Sequence, residues 1–421
     1  MLGVADTSFR KKMVVSCSFI INLGILAVFK YSNFVLNSIS SLCSLFGASF
    51  TERRIDVLLP VGISFYTFQA LSYTVDVYRG KIDAEKNFLK YALFVSFFPQ
   101  LVAGPIERSG NLLNQIRDIS HEKLMRPERI RDGLVLMLWG FFQKLVIADR
   151  ASILVDHVYG KYHEFGFFGL GIATVFFTIQ IYCDFGGYSN IARGAAAVLG
   201  IDLMQNFRQP YLATDIRDFW SRWHISLTSW FTDYLYIPLG GNRKGRIRKY
   251  LNIMIVFLVS GLWHGASWNY VVWGGIHGIY RIVGECTDSI KCSIKGLDRT
   301  VIKIFKMTGT FCLVSFAWVF FAADNLGHAL GIITRMFTVF SFGDIHDLKL
   351  SKANEIVFIV SVAILTIVDL LSDKGESPIS ILNRKPVPVR WLLYITMIWI
   401  TIMLGIYGIE YDATQFIYFQ F

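Results

Sequence analysis

Tyr250-Leu251-Asn252-Ile253-Met254-Ile255-Val256-Phe257-Leu258-Val259-Ser260-Gly261-Leu262-Trp263-His264-Gly265-Ala266-Ser267-Trp268 decides how this chain is read. The stretch is apolar enough for a membrane helix, and about 20 apolar residues span a bilayer. Yet it carries His264. An ionisable side chain at membrane depth is costly and rare unless it faces a polar cavity or a pathway. The small residues Gly261, Gly265 and Ala266 beside it predict room for a substrate to reach the ring. A second histidine, His224, lies upstream in Phe219-Trp220-Ser221-Arg222-Trp223-His224. Two such residues suggest chemistry at depth.

The rest of the chain agrees with a membrane setting. Of 421 residues, 54% are hydrophobic and 17% charged, against about 25% charged in soluble domains. Mean hydropathy is +0.47. Apolar runs recur to the end, from Val14–Phe29 to Trp391–Ile406. They predict an all-α, polytopic integral membrane protein with roughly nine to eleven hydrophobic helices, some re-entrant, around a central funnel. No linker or repeat divides the sequence, so residues 1–421 read as a single domain. A soluble enzyme with buried core helices is the alternative that this composition opposes.

The net charge of +10 fits basic cytoplasmic loops and contact with anionic membrane lipids, with no nucleic acid implied. Its densest run, Arg243-Lys244-Gly245-Arg246-Ile247-Arg248-Lys249, is expected in the cytoplasm. From there Tyr250–Trp268 runs outward and the next segment returns. Arg281–Lys306 is then inside, Asp324–Lys352 outside, Lys374–Arg390 inside, and the C-terminus outside. Arg10-Lys11-Lys12 precedes a retained helix rather than a cleaved signal. The six cysteines show no metal-ligand spacing and imply no disulfide framework. No metal is expected.

The segment from Asp184 to Gly241 is odd for a span or a wet loop. It mixes aromatics with Asp184, Arg193, Asp202, Arg208, Asp218, Arg222 and Asp233, and Gly186-Gly187 and Pro210 interrupt helix. Such backbone is tolerated at depth where protein or a wet cavity surrounds it. The acids and arginines are expected to pair and hold the funnel.

Trp263-His264-Gly265, with Arg222-Trp223-His224 before it, resembles the membrane-bound O-acyltransferase family. Cys183-Asp184-Phe185-Gly186-Gly187-Tyr188-Ser189, Asn206-Phe207-Arg208-Gln209-Pro210-Tyr211 and Asp233-Tyr234-Leu235-Tyr236-Ile237-Pro238-Leu239-Gly240-Gly241-Asn242-Arg243 resemble its bacterial branch, which modifies alginate and peptidoglycan. Teichoic acid D-alanylation is a more distant relative. The ordered set covers nearly the whole chain. Two departures stand out: hydrophobic sequence before Asn22-Leu23-Gly24 is shorter than usual, and Ser189-Asn190 stands where Ser-Asp is common.

The resemblance implies a bacterial cytoplasmic-membrane enzyme. It would move an acyl group, expected to be acetyl, from a cytosolic thioester donor such as acetyl-CoA to hydroxyls of an exported glycan. Transfer would be direct or through an extracytoplasmic acetyltransferase partner. Acetyl-CoA would be a substrate; no bound cofactor is expected. His264 suits the base, because neutral imidazole is available near pH 7. His224, indole N–H groups or backbone would meet the oxyanion, or His224 would position the donor. Arg243, Lys244 and Arg246 would meet donor phosphates. The resemblance also suggests Tyr418, in the aromatic end Thr414–Phe421, as an acyl carrier; an interfacial aromatic anchor is the other reading.

Bland readings stand beside these. His277 reads as a core histidine, and His121, His157, His163, His328 and His346 as solvated. A transporter or channel with a histidine relay would also use His224 and His264, but no repeat symmetry supports it. A non-catalytic scaffold for envelope synthesis is a third possibility.

Overall fold

The computed structural model describes residues 8–48, 60, 62–101, 104–119, 126–288 and 298–407. Its regular elements are helices throughout the described residues. In chain order these are α1 (Ser8–Leu26), α2 (Ser32–Leu45), α3 (Ile63–Tyr78), α4 (Phe88–Ser96), α5 (Ser109–Asp118), α6 (Pro127–Phe141), α7 (Asp149–Gly160) and α8 (Phe167–Val198). There follow α9 (Ile216–Arg222), α10 (Ile225–Phe231), α11 (Arg246–His264), α12 (Trp268–Asp288), α13 (Arg299–Ala322), α14 (Leu326–Thr338), α15 (Lys352–Asp373), α16 (Pro378–Asn383) and α17 (Val387–Leu404). Side chains of Asn87, Asp298, Asn325 and Ser351 accept from backbone N–H groups and start α4, α13, α14 and α15, as short polar residues do at a helix N-cap.

Among the described residues, five helices are long and apolar enough to cross a membrane: Phe9–Leu45 taken through its π turn, α8, α13, α15 and α17. Other hydrophobic segments give shorter elements. The apolar run that starts at Phe88 yields α4 of only nine residues. The stretch Arg129–Arg150 becomes α6, a π-helical segment at Phe142–Ala148 and the start of α7.

One expectation is overturned. Gly186-Gly187 does not interrupt helix: α8 runs unbroken through both for 32 residues. The glycines instead set how closely α6 and α8 approach. A Cβ at Gly187 or Gly194 would overlap the carbonyls of Gly140 and Gly133, and the reverse holds. Small residues at such crossings let helix backbones touch. Irregular backbone begins only after Leu199, and the short helices α9 and α10 lie in it.

The stretch Tyr250–Ile276 is a hairpin rather than one crossing. Lys249 at the start of α11 and Arg281 near the end of α12 both pair with Glu285, so those ends lie together. At the other end, Asn269 donates to the carbonyls of Phe320 and Ala323, 3.1 and 2.8 Å away. The end of α13 therefore meets the start of α12. Alternating direction through α11, α12 and α13 is the order read from the charge pattern.

Candidate active site

His264 is the last residue of α11 and is buried, at 4% exposure. Two glycines place it. A Cβ at Gly261 would overlap the carbonyl of Tyr270, and one at Gly265 would overlap the Tyr270 ring. The expected free space beside the histidine is thus partly filled by α12. Gly265, Ala266 and Ser267 nevertheless line a cavity at this end.

His224 enters from the junction of α9 and α10. Its φ of 44° and ψ of 54° are left-handed, a conformation uncommon outside glycine and asparagine. This separates the two short helices and turns the ring inward to 0% exposure. Asn206 holds the corner. Its Oδ1 lies 3.3 Å from His224 Nδ1 and accepts from Ser226 Oγ at 2.6 Å and Ser226 N at 3.3 Å. Its Nδ2 donates to Ser189 Oγ at 3.1 Å. A buried amide with every bond directed is a rigid support.

The two imidazoles sit 6.3 Å apart, centroid to centroid, in an aromatic cage. Around His264 are Trp263 at 4.9 Å, Trp273 at 5.1 Å and Phe321 at 5.4 Å. Phe185 stands edge-on to His224 at 4.7 Å. Phe68 is stacked between Trp230 and Trp263, at 4.0 and 5.3 Å. The indole N–H groups of Trp263 and Trp273 are buried without a protein acceptor among the described residues. Such groups are costly to leave unused, and they are the donor type that a developing oxyanion requires.

Two cavities flank the cage. One, of about 490 Å³, is lined by Gly265–Ser267, Asp156, Gln180, Asp324 and His328 among others. The other, of about 600 Å³, is lined by Arg217, Trp220, Asn242, Lys249, Ser260 and Arg281. Ser260 lies one turn before His264 on α11. Both volumes are of ligand-site size.

The remaining histidines and charges fall into place. His277 is buried and accepts from Trp220 Nε1 at 3.3 Å, as a core histidine does. His328, read as solvated, instead contacts Asp324 and the carbonyl of Tyr159 and lines the first cavity. Arg222 pairs with Asp218 as expected, but other charges of the segment find partners outside it: Arg222 also meets Asp373, Asp184 meets Lys144, which also holds Asp149, and Asp233 meets Arg108. Arg243, Lys244 and Arg246 are exposed in and just after the turn before α11. The basic residues lining the second cavity are Arg217, Lys249 and Arg281. His121 and Tyr418 lie outside the described residues.

Sequence reading gives Lys30 no role in the site, although Phe29-Lys30-Tyr31 belongs to the N-terminal stretch that resembles the family. Lys30 is the sole charged residue between Lys12 and Glu52, a signal that was available. Its ammonium donates to the carbonyls of Trp263 and His264, at 2.7 and 3.3 Å.

A helical membrane bundle with two buried, facing histidines between two cavities is the architecture in hand. Residues 82–289 match the membrane-bound O-acyltransferase family, and the chain belongs to that family. It is 39% identical to a probable alginate O-acetylase of Pseudomonas putida over 79% of this chain and 66% of the relative. It is 35% identical to a peptidoglycan O-acetyltransferase of Helicobacter pylori, covering 77% and 65%. A teichoic acid D-alanyltransferase of Streptococcus thermophilus is 27% identical, covering 69% and 70%. The chain thus spans about two thirds of the length of these relatives.

Proposed function

We propose that the chain is an O-acetyltransferase of a bacterial cytoplasmic membrane, taking acetyl from a cytosolic thioester and delivering it to hydroxyls on the outer side. The observation that carries this reading is buried His264 on α11, with Ser260, one turn before it, lining a basic cavity and Gly265, next to it, lining a polar one. With the basic loop inside, the basic cavity faces the cytosol and the polar cavity faces out. Arg217 suits the phosphates of acetyl-CoA, and Lys249 and Arg281, which share the single carboxylate of Glu285 in the same lining, leave the cavity with a net positive charge.

In this reading neutral His264 accepts the proton of the acceptor hydroxyl as its oxygen attacks the thioester carbonyl. The tetrahedral oxyanion is met by Trp263 and Trp273 indole N–H groups. Collapse breaks the C–S bond, and the CoA thiolate takes the proton back from the imidazolium. His224, held by Asn206, orients the reacting groups. The relatives favour acetyl over D-alanyl, because the alginate O-acetylase and the peptidoglycan O-acetyltransferase share more of the sequence than the D-alanyltransferase does. The acceptor is an exported glycan, reached directly or through an extracytoplasmic acetyltransferase, with Tyr418 as a candidate phenolic carrier.

The test is reconstituted protein given acetyl-labelled acetyl-CoA, with glycan and outer partner present. Wild type should release CoA and His264→Ala should not. Label retained on the protein and lost in Tyr418→Phe supports the relay. Equal CoA release by the His264→Ala variant refutes the assignment.

A further inference from the structure

The last carbonyls of a helix have no partner within it, and at the end of α11 one is met by the C-cap and three from a distant segment. Gly261 O accepts from Gly265 N at 3.4 Å. Leu262 O accepts from Tyr31 Oη at 2.9 Å. Trp263 O and His264 O accept from Lys30 Nζ at 2.7 and 3.3 Å. Three of these four carbonyls are therefore capped by two consecutive residues more than 230 positions away in sequence. A cation at a helix C-terminus also opposes the negative end of the helix dipole.

The N-terminal segment is shaped for this contact. Lys30 and Tyr31 lie in a π-helical turn, Ala27–Tyr31, between α1 and α2. Single π turns inside helices recur at functional sites. From Met13 to Leu45 the segment carries no other charge, and many of its large apolar side chains are exposed. An ammonium there is costly, and among the described residues its partners are carbonyls and Ser64 Oγ at 3.4 Å rather than a carboxylate.

We propose that Lys30, assisted by Tyr31, is a positioning residue that clamps the Trp263–His264 peptides and so fixes the His264 imidazole in the cage. The N-terminal helix is then part of the active site rather than a peripheral anchor. The catalytic half of this inference rests on His264 being the base; the clamp itself does not.

The test compares wild type, Lys30→Met, Lys30→Arg and Tyr31→Phe in nanodiscs by two readouts. The first is amide hydrogen exchange of residues 262–268, which needs no activity. The second is acetyl-CoA turnover. Lys30→Met should speed exchange there and lower kcat at least about tenfold, the scale of a charge-assisted hydrogen bond, with donor KM changed less than about twofold. Lys30→Arg should restore part of both. Unchanged exchange and kcat in Lys30→Met overturn the clamp. If Lys30→Met does not fold, Tyr31→Phe decides: faster exchange at the same peptides supports the clamp, and wild-type exchange refutes it. Altered exchange in a protein whose wild type and His264→Ala forms turn over equally would keep the clamp and reject the acyltransferase reading.

Discussion

Asn206 Oδ1 lies 3.3 Å from His224 Nδ1 while accepting from Ser226 Oγ at 2.6 Å. One amide thus fixes both a left-handed histidine and the start of α10. This explains how an irregular segment holds a ring in register against His264.

Asn206→Ala should therefore free the corner without touching His264. Loss of several buried hydrogen bonds is expected to cut kcat by about ten- to a hundredfold, at roughly 1–3 kcal/mol each for groups left unsatisfied. Turnover, normalised to folded protein by thermal unfolding in detergent, checks it. A variant as active as wild type would contradict the supporting role.

Lys144 bridges Asp149 and Asp184, both nearly inaccessible, at 2.8 and 2.6 Å. Lys144→Met should destabilise the fold by about 3–5 kcal/mol, the cost of breaking a buried pair from one side. The triple change with Asp149→Asn and Asp184→Asn should recover part of that loss. Thermal unfolding of the series reads the coupling.

Gly140 and Gly187 bring α6 and α8 into backbone contact. Gly140→Leu should force the pair apart at a cost of about 3 kcal/mol, whereas Gly171→Leu on α8, where a side chain meets open space, should be tolerated. Comparable loss in both variants would argue against a close crossing.

Lys249→Gln and Arg281→Gln should raise the acetyl-CoA KM by about tenfold, as expected for loss of a charged hydrogen bond, and reduce its salt dependence. The triple change Arg243→Gln, Lys244→Gln, Arg246→Gln should raise it less, since those side chains are exposed. A larger effect in the triple variant would move the donor site to that turn.

These contrasts mark what was legible in the sequence. His264 and His224 stand out because ionisable groups are rare among apolar runs. The α11–α12 hairpin follows from charge alternation, because basic clusters flank it. The role of Gly186-Gly187 was misread, because glycine signals both a break and a close crossing, and only a facing Gly140 distinguishes them. Lys249 and Arg281 were outweighed by the denser Arg243–Arg246 cluster, since linear charge density does not report which side chains turn into a cavity. The Lys30–His264 link joins two distant segments, and neither segment's periodicity encodes it.

On the proposed function, His264 joins a donor cavity on one side of the membrane to an acceptor cavity on the other. The direct measurement uses proteoliposomes with uniform protein orientation, acetyl-CoA supplied only on the side of Lys249, and acceptor glycan and outer partner only on the side of Ser267. Wild type should release CoA on the first side and acetylate the acceptor on the second, and His264→Ala should do neither. Acetylation that persists in His264→Ala, or that requires donor and acceptor on the same side, would contradict the account.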